Sequence, residues 1–192
     1  MTHRATPYED HVIEEWLAVT EELLARHPLT PEQIVGAVRR SWAAIFESNI
    51  GTLRIGTAIL PLPQIMSFFL HELIPVELSK MDSHWRRGAG QEKDAYYTEA
   101  PQFSFEIKAS SHIRDIFGNR SYAQVSGARG KDKSGYYLTV NFEKFKGDNR
   151  PQLTRVRFGW LDHTDWIGQT SQTGQQAHLS ANADRYKLVD LL

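Results

Sequence analysis

A chain of 192 residues without a single cysteine can hold no disulfide, no thiolate zinc site and no cysteine nucleophile, and its length suits one domain able to bury its own core. A hydrophobic fraction of 41% and a charged fraction of 23% are those of a soluble globular protein, and no apolar run is long enough to span a bilayer. The net charge of −1 hides an asymmetry: residues 1–106 carry nine Lys and Arg against fifteen Asp and Glu, residues 107–157 eleven against four, and residues 158–192 two against four. A middle third this basic suits a polyanion, and it equally suits an ordinary solvated face. The polar N-terminus carries acids and has the pattern of neither a signal nor a transit peptide, so the expected location is the cytoplasm.

Residues 1–80 are expected to be mainly helical. Residues 8–26 place Val12, Ile13, Trp16, Leu17, Leu23 and Leu24 at helical spacing. Thr30, Pro31 and Gln33 make a start signal: a capping hydroxyl, a proline at the first helical position, and a glutamine that reaches back to the cap. The helix they open carries Ile34, Val38, Trp42, Ile45 and Phe46 on one side. Residues 49–56 break the pattern, and Pro61 and Pro63 introduce another helix over 64–78, very apolar through Met66, Phe68, Phe69 and Leu70. Residues 85–90 read as a loop, 95–97 as a short strand and 99–102 as a turn. Residues 103–108 alternate, with Phe103, Phe105 and Ile107 on one face and Ser104, Glu106 and Lys108 on the other. Residues 112–124 read as a helix or compact loop, and 136–142 and 153–161 as strands, while 162–180 are polar and rich in Gln, Thr and Gly. Helices first and a mixed sheet after them give an α/β fold in one domain: a helical part at 1–80, a sheet at 85–161 and a polar C-terminal segment at 162–192.

Three charged residues stand out. Glu106 and Lys108 are two apart on a strand and so share a face, roughly 6.6 Å apart by strand rise. Asp94, 12 residues upstream of Glu106, falls where a tight hairpin would bring its carboxylate alongside. Phosphodiester hydrolysis asks for this chemistry: carboxylates to hold a hard cation such as Mg2+, and a compact positive charge beside the attacking water. The carbonyl of Ile107 would be a further metal ligand. The residues alone leave two readings open, a nuclease centre and a pair of surface charges of little worth.

The runs Glu92-Lys93-Asp94, Phe103-Ser104-Phe105-Glu106-Ile107-Lys108-Ala109-Ser110-Ser111 and residues 116–124 resemble type II restriction endonucleases of the PD-(D/E)XK superfamily, in particular a ScaI-like group. Residues 156–169 and 174–177 extend the likeness, which spans roughly 40–190, and Lys93 stands where the superfamily has proline. The resemblance implies a restriction-endonuclease-like core, a mixed β-sheet flanked by helices, with Asp94, Glu106 and Lys108 catalytic. It implies magnesium-dependent double-strand cleavage at a short sequence, leaving 5′-phosphate ends. Such enzymes often add a helix carboxylate, for which Glu72 ranks above Glu47, while Glu77 reads as a surface glutamate.

DNA contact is expected from Ser110, Ser111, Asn119, Arg120, Ser121 and Gln124, which follow the catalytic strand, and from His163, Thr164, Gln169, Gln172, Gln175 and Gln176. Each set has a plain alternative: Asn119 and Arg120 bracing the fold, and the glutamines forming a solvated loop. Trp160 reads as core. A palindromic site would be met by a homodimer, with Trp16, Trp42 and Ile45 at the interface or in the core. The competing functions are a structure-directed repair or junction nuclease and a DNA-binding module without catalysis.

Overall fold

A computed structural model describes residues 6–124, 132–147, 149–171 and 173–192. In chain order the elements are α1 (Trp16–Ala25), α2 (Pro31–Glu47), β1 (Asn49–Ile50), β2 (Leu53–Arg54), α3 (Pro63–Ser79), β3 (Trp85–Arg87), β4 (Ala95–Tyr97), β5 (Phe105–Ser110), β6 (Phe117–Asn119), β7 (Gly135–Phe142), β8 (Leu153–Leu161), β9 (Trp166–Gly168), β10 (Gln176–Leu179), α4 (Ala181–Tyr186) and β11 (Leu188–Asp190). Six strands form the main sheet in the order β11-β8-β7-β5-β4-β3. Among the described residues of this sheet, β5 and β7 are the pair that runs parallel, and the other pairs are antiparallel. A smaller sheet has the order β6-β10-β9.

The two faces of the main sheet are chemically different, and that difference makes the site. On one face Phe105, Ile107, Leu138, Val140 and Phe158 are buried against α2 and α3, joined by Val38, Trp42, Ile45, Leu70 and Ile74. The other face carries Glu106, Lys108, Tyr137, Thr139, Asn141 and Arg157, a polar set that is nonetheless almost entirely buried. It is covered by a second apolar cluster of Ile116, Tyr122, Trp166, Ala177 and Leu179 from the small sheet and its connections, which also takes in Tyr137.

Helix α2 starts where expected: the Thr30 hydroxyl accepts from the Gln33 amide, and the Gln33 side chain accepts from the Thr30 amide at 2.8 Å. Four sequence expectations are corrected. Residues 85–87 are not a loop but the edge strand β3, paired with β4. Residues 112–124 hold no α-helix; they form β6 and a 3-10 turn, Arg120–Ala123. The first helix is shorter than 8–26, a 3-10 turn at Ile13–Glu15 leading into α1. Of the two readings open for Trp42 and Ile45 the core one holds, since they are 5% and 1% exposed. Trp160, expected in the core, is half-buried at its margin.

Candidate active site

The site forms where β4 and β5 part. Their ladder is registered by Ala95 opposite Phe105, which sets Asp94 opposite Glu106, and directly opposed residues of an antiparallel pair share a face. Pairing stops there, and the amide of Ile107 donates to the Asp94 side chain instead, at 2.8 Å. The carboxylate of Asp94 therefore sits on the main chain between Glu106 and Lys108. A glycine holds this approach: the Gly88 amide donates to the Asp94 carbonyl at 2.9 Å, and a Cβ at position 88 would stand 1.8 Å from the Lys93 carbonyl oxygen.

Glu106 is 0% exposed. A carboxylate taken out of water needs positive charge and hydrogen bonds around it, and it has both. Lys93 Nζ lies 3.7 Å from its Oε1 and Lys108 Nζ 3.6 Å from its Oε2. The Tyr122 hydroxyl donates to Oε2 at 3.2 Å. Lys108 Nζ also donates to the Ile107 carbonyl at 3.1 Å and stands 4.6 Å from the centre of the Tyr122 ring, with Lys133 Nζ at 4.3 Å from the same ring. Burial, and then the charge of Glu106, push the pKa of the Tyr137 hydroxyl up, which keeps it neutral.

Helix α3 also reaches Asp94. His71 Nδ1 is 3.5 Å from Asp94 Oδ2. Glu72 pairs with Arg87, 2.6 Å away. Glu77 pairs with Arg40 and Lys80, and Glu47 is exposed at the end of α2. Sequence reasoning missed Tyr122 and Lys133, passed over His71, and noted Lys93 only as a departure from the family pattern. Nothing in the local spacing marks them, because their roles arise from contacts across the fold.

The profile of the ScaI restriction endonuclease family matches residues 6–192. The chain is also 46% identical over 189 residues to "Type II restriction enzyme ScaI" of Streptomyces caespitosus, covering 96% of this chain and 83% of that protein. The chain belongs to the ScaI restriction endonuclease family.

A type II restriction endonuclease cleaves DNA at a specific sequence, and this family implies a divalent cation. The donors on hand fit one: two carboxylates and the Ile107 carbonyl are hard oxygens, the ligand type such ions take. Among the described residues no three His, Asp or Glu side chains cluster to hold a metal.

The residues expected to meet DNA fall in two groups. Gln176 pairs with Asn119 across β10 and β6, so two sequence-distant sets converge in the small sheet. Asn119, Ser121, Gln124, Thr164, Gln169, Gln175 and Gln176 are exposed. Arg120 braces the fold, donating to the carbonyls of Ser171 and Gly174 at 3.3 and 3.4 Å. Asn119 accepts from the Ser121 amide and Ser110 from the His112 amide, so both also do local structural work. Ser111 and His163 are half-buried, and Gln172 lies outside the described residues. Tyr122, on the 3-10 turn that follows β6, joins this sheet to the carboxylate of Glu106. Among the described residues no helix is long and apolar enough to cross a membrane.

Proposed function

We propose that this restriction endonuclease hydrolyses both strands of a short, palindromic DNA site through Asp94, Glu106 and Lys108, using Mg2+ and leaving 3′-hydroxyl and 5′-phosphate ends. The observation that carries the reading is the 2.8 Å hydrogen bond from the Ile107 amide to Asp94, which ties the first acid to the peptide between the other two groups. Asp94, Glu106 and the Ile107 carbonyl would hold the ion. A bound Mg2+ supplies positive charge to the phosphate and acidifies a bound water. Lys108, fixed by Glu106 and the Tyr122 ring, orients the attacking water and meets the negative charge that develops on the phosphate. Lys93 balances the charge of Glu106 from its other side, so that Lys108 is not its sole counter-charge. No nucleophilic side chain is needed, because water attacks in line with the leaving oxygen.

The exposed residues of the small sheet and of segment 162–192 are assigned to DNA contact, with Ser110, Ser111 and Arg120 supporting them. The whole chain is taken as one restriction-endonuclease-like domain, acting as a homodimer in the cytoplasm. Glu72 enters as a residue that holds α3 to β3 through Arg87 beside the site. The test is digestion of plasmid DNA with and without Mg2+. Discrete fragments that appear only with Mg2+ and carry 5′-phosphates are expected; smearing, cutting that requires branched DNA, or undiminished cutting in chelator would overturn the reading.

A further inference from the structure

Helix α3 is apolar on both sides, which is the composition of a helix covered all round. Only one side is covered. Met66, Leu70, Ile74 and Leu78 are at most 1% exposed, against the sheet and α2. At helical spacing on the opposite side, Leu62, Ile65, Phe68 and Val76 are 69%, 46%, 55% and 46% exposed, and Leu60 just before the helix is 51% exposed. At about 100 Å² each these side chains expose on the order of 500 Å² of apolar surface. That matches the apolar share of an ordinary interface of about 800 Å² per partner.

We propose that this stripe of α3 is the face through which two copies of the chain pair about a two-fold axis, α3 against α3. Charge favours a copy of itself. Residues 49–76 contain no lysine and one arginine, and Glu72, between Phe68 and Val76 at helical spacing, is held by Arg87 at 2.6 Å, so the charge that a two-fold axis would set against its own copy is offset. The same poverty of Lys and Arg makes the stripe a poor surface for phosphates. Position favours it too. Ser67 donates from its hydroxyl to the Ala109 carbonyl at 3.2 Å, and His71 reaches Asp94, both from the flank of α3 next to the stripe. Pairing through α3 would therefore set the two centres on either side of one helix pair. This rests on the reading that both strands are cut, and it names the surface that couples the cuts.

The test uses the full chain carrying Ile65→Asp and Phe68→Asp together. The unaltered chain is expected to sediment at twice its 22.0 kDa mass and the double variant at 22.0 kDa, with the same circular dichroism. On supercoiled plasmid the double variant is expected to accumulate nicked circles where the unaltered chain yields linear DNA. Because the sequence has no cysteine, Phe68→Cys should join two copies through a short thiol-to-thiol linker, whereas Val12→Cys, also exposed, should not. A double variant that remains dimeric, an unaltered chain that is monomeric, or linkage at Val12 in place of Phe68 would each overturn the proposal. None of these results bears on Asp94, Glu106 or Lys108: Glu106→Gln should lose cleavage and keep the dimer mass, which separates failure of the interface from failure of the chemistry.

Discussion

Glu106 is fully buried with two lysines within 4 Å, a placement that a protein selected for stability alone would replace with apolar side chains. Lys93 and Lys108 balance the charge of Glu106 from its two sides, as the proposed catalytic role requires. The Glu-x-Lys spacing was legible because strand geometry fixes which face two such residues share. Tyr122, His71 and Lys133 were not, since a tyrosine on a 3-10 turn and a histidine on an apolar helix acquire their meaning only from what the fold sets opposite them. Gly88 belongs to the same class. A methyl group there has no room against the Lys93 carbonyl, so Gly88→Ala must shift the peptide that carries Asp94. Displacements of about 1 Å at a catalytic group cost up to 10²-fold in rate. Gly88→Ala is therefore expected to cut at least 10-fold more slowly at saturating Mg2+ while keeping its fold, measured by initial cleavage rate beside a thermal melt. Rates within two-fold of the unaltered chain would show that the approach of Asp94 tolerates movement.

At the scale of elements, His27 ties the end of α1 to the sheet. Its Nδ1 accepts from the Leu29 amide at 3.2 Å, so Nε2 carries the proton and donates to the Phe103 carbonyl at 3.0 Å. The rings of Trp85, Phe103, Phe105, Tyr136 and Phe158 surround it, and this burial lowers its pKa to about 4. The unfolded chain takes up that proton near pH 6.5 and the folded chain resists it until about pH 4. The stability contributed by a neutral His27 is complete above pH 6.5 and lost as pH falls through that window, by about 3 kcal/mol in total. Glu92, held down to about 2 by Arg86 and the Ala89 amide, acts in the same direction but lower, its contribution fading only as pH falls below the ordinary carboxylate range. Urea midpoints at pH 7.5 and 5 should therefore fall in the unaltered chain and change less in His27→Gln; equal slopes would remove His27 from the account. The α2 cap, the alternation in β5 and the strands β7 and β8 were readable because each is a local pattern. Strands β3, β6 and β9 have three residues apiece and follow no local signal; they exist because distant segments offer them partners.

For the whole molecule, the sequence order of helices followed by sheet is kept, but the functional layout is a sandwich that no linear reading displays. One face of the main sheet is apolar and carries the helices, while the other is polar and roofed by the small sheet. The roof holds the residues assigned to DNA and, through Tyr122, touches the carboxylate beneath. Of the basic residues of 107–157, Lys108 and Lys133 stand beside Tyr122, while Arg155 and Arg157 pair with Asp190 and Asp184. The family likeness was legible through motifs whose spacing reflects this layout, though the layout itself was not.

The most direct measurement compares cleavage and binding of a plasmid fragment by the unaltered chain, Asp94→Asn, Glu106→Gln and Lys108→Ala at the same Mg2+ concentration. Each variant is expected to lose about 10²–10³-fold or more in cleavage rate. Each should still bind the fragment within a few-fold of the unaltered chain when Ca2+ replaces Mg2+. Cleavage by any of the three at a near-normal rate would contradict the assignment of the centre to the junction of β4 and β5.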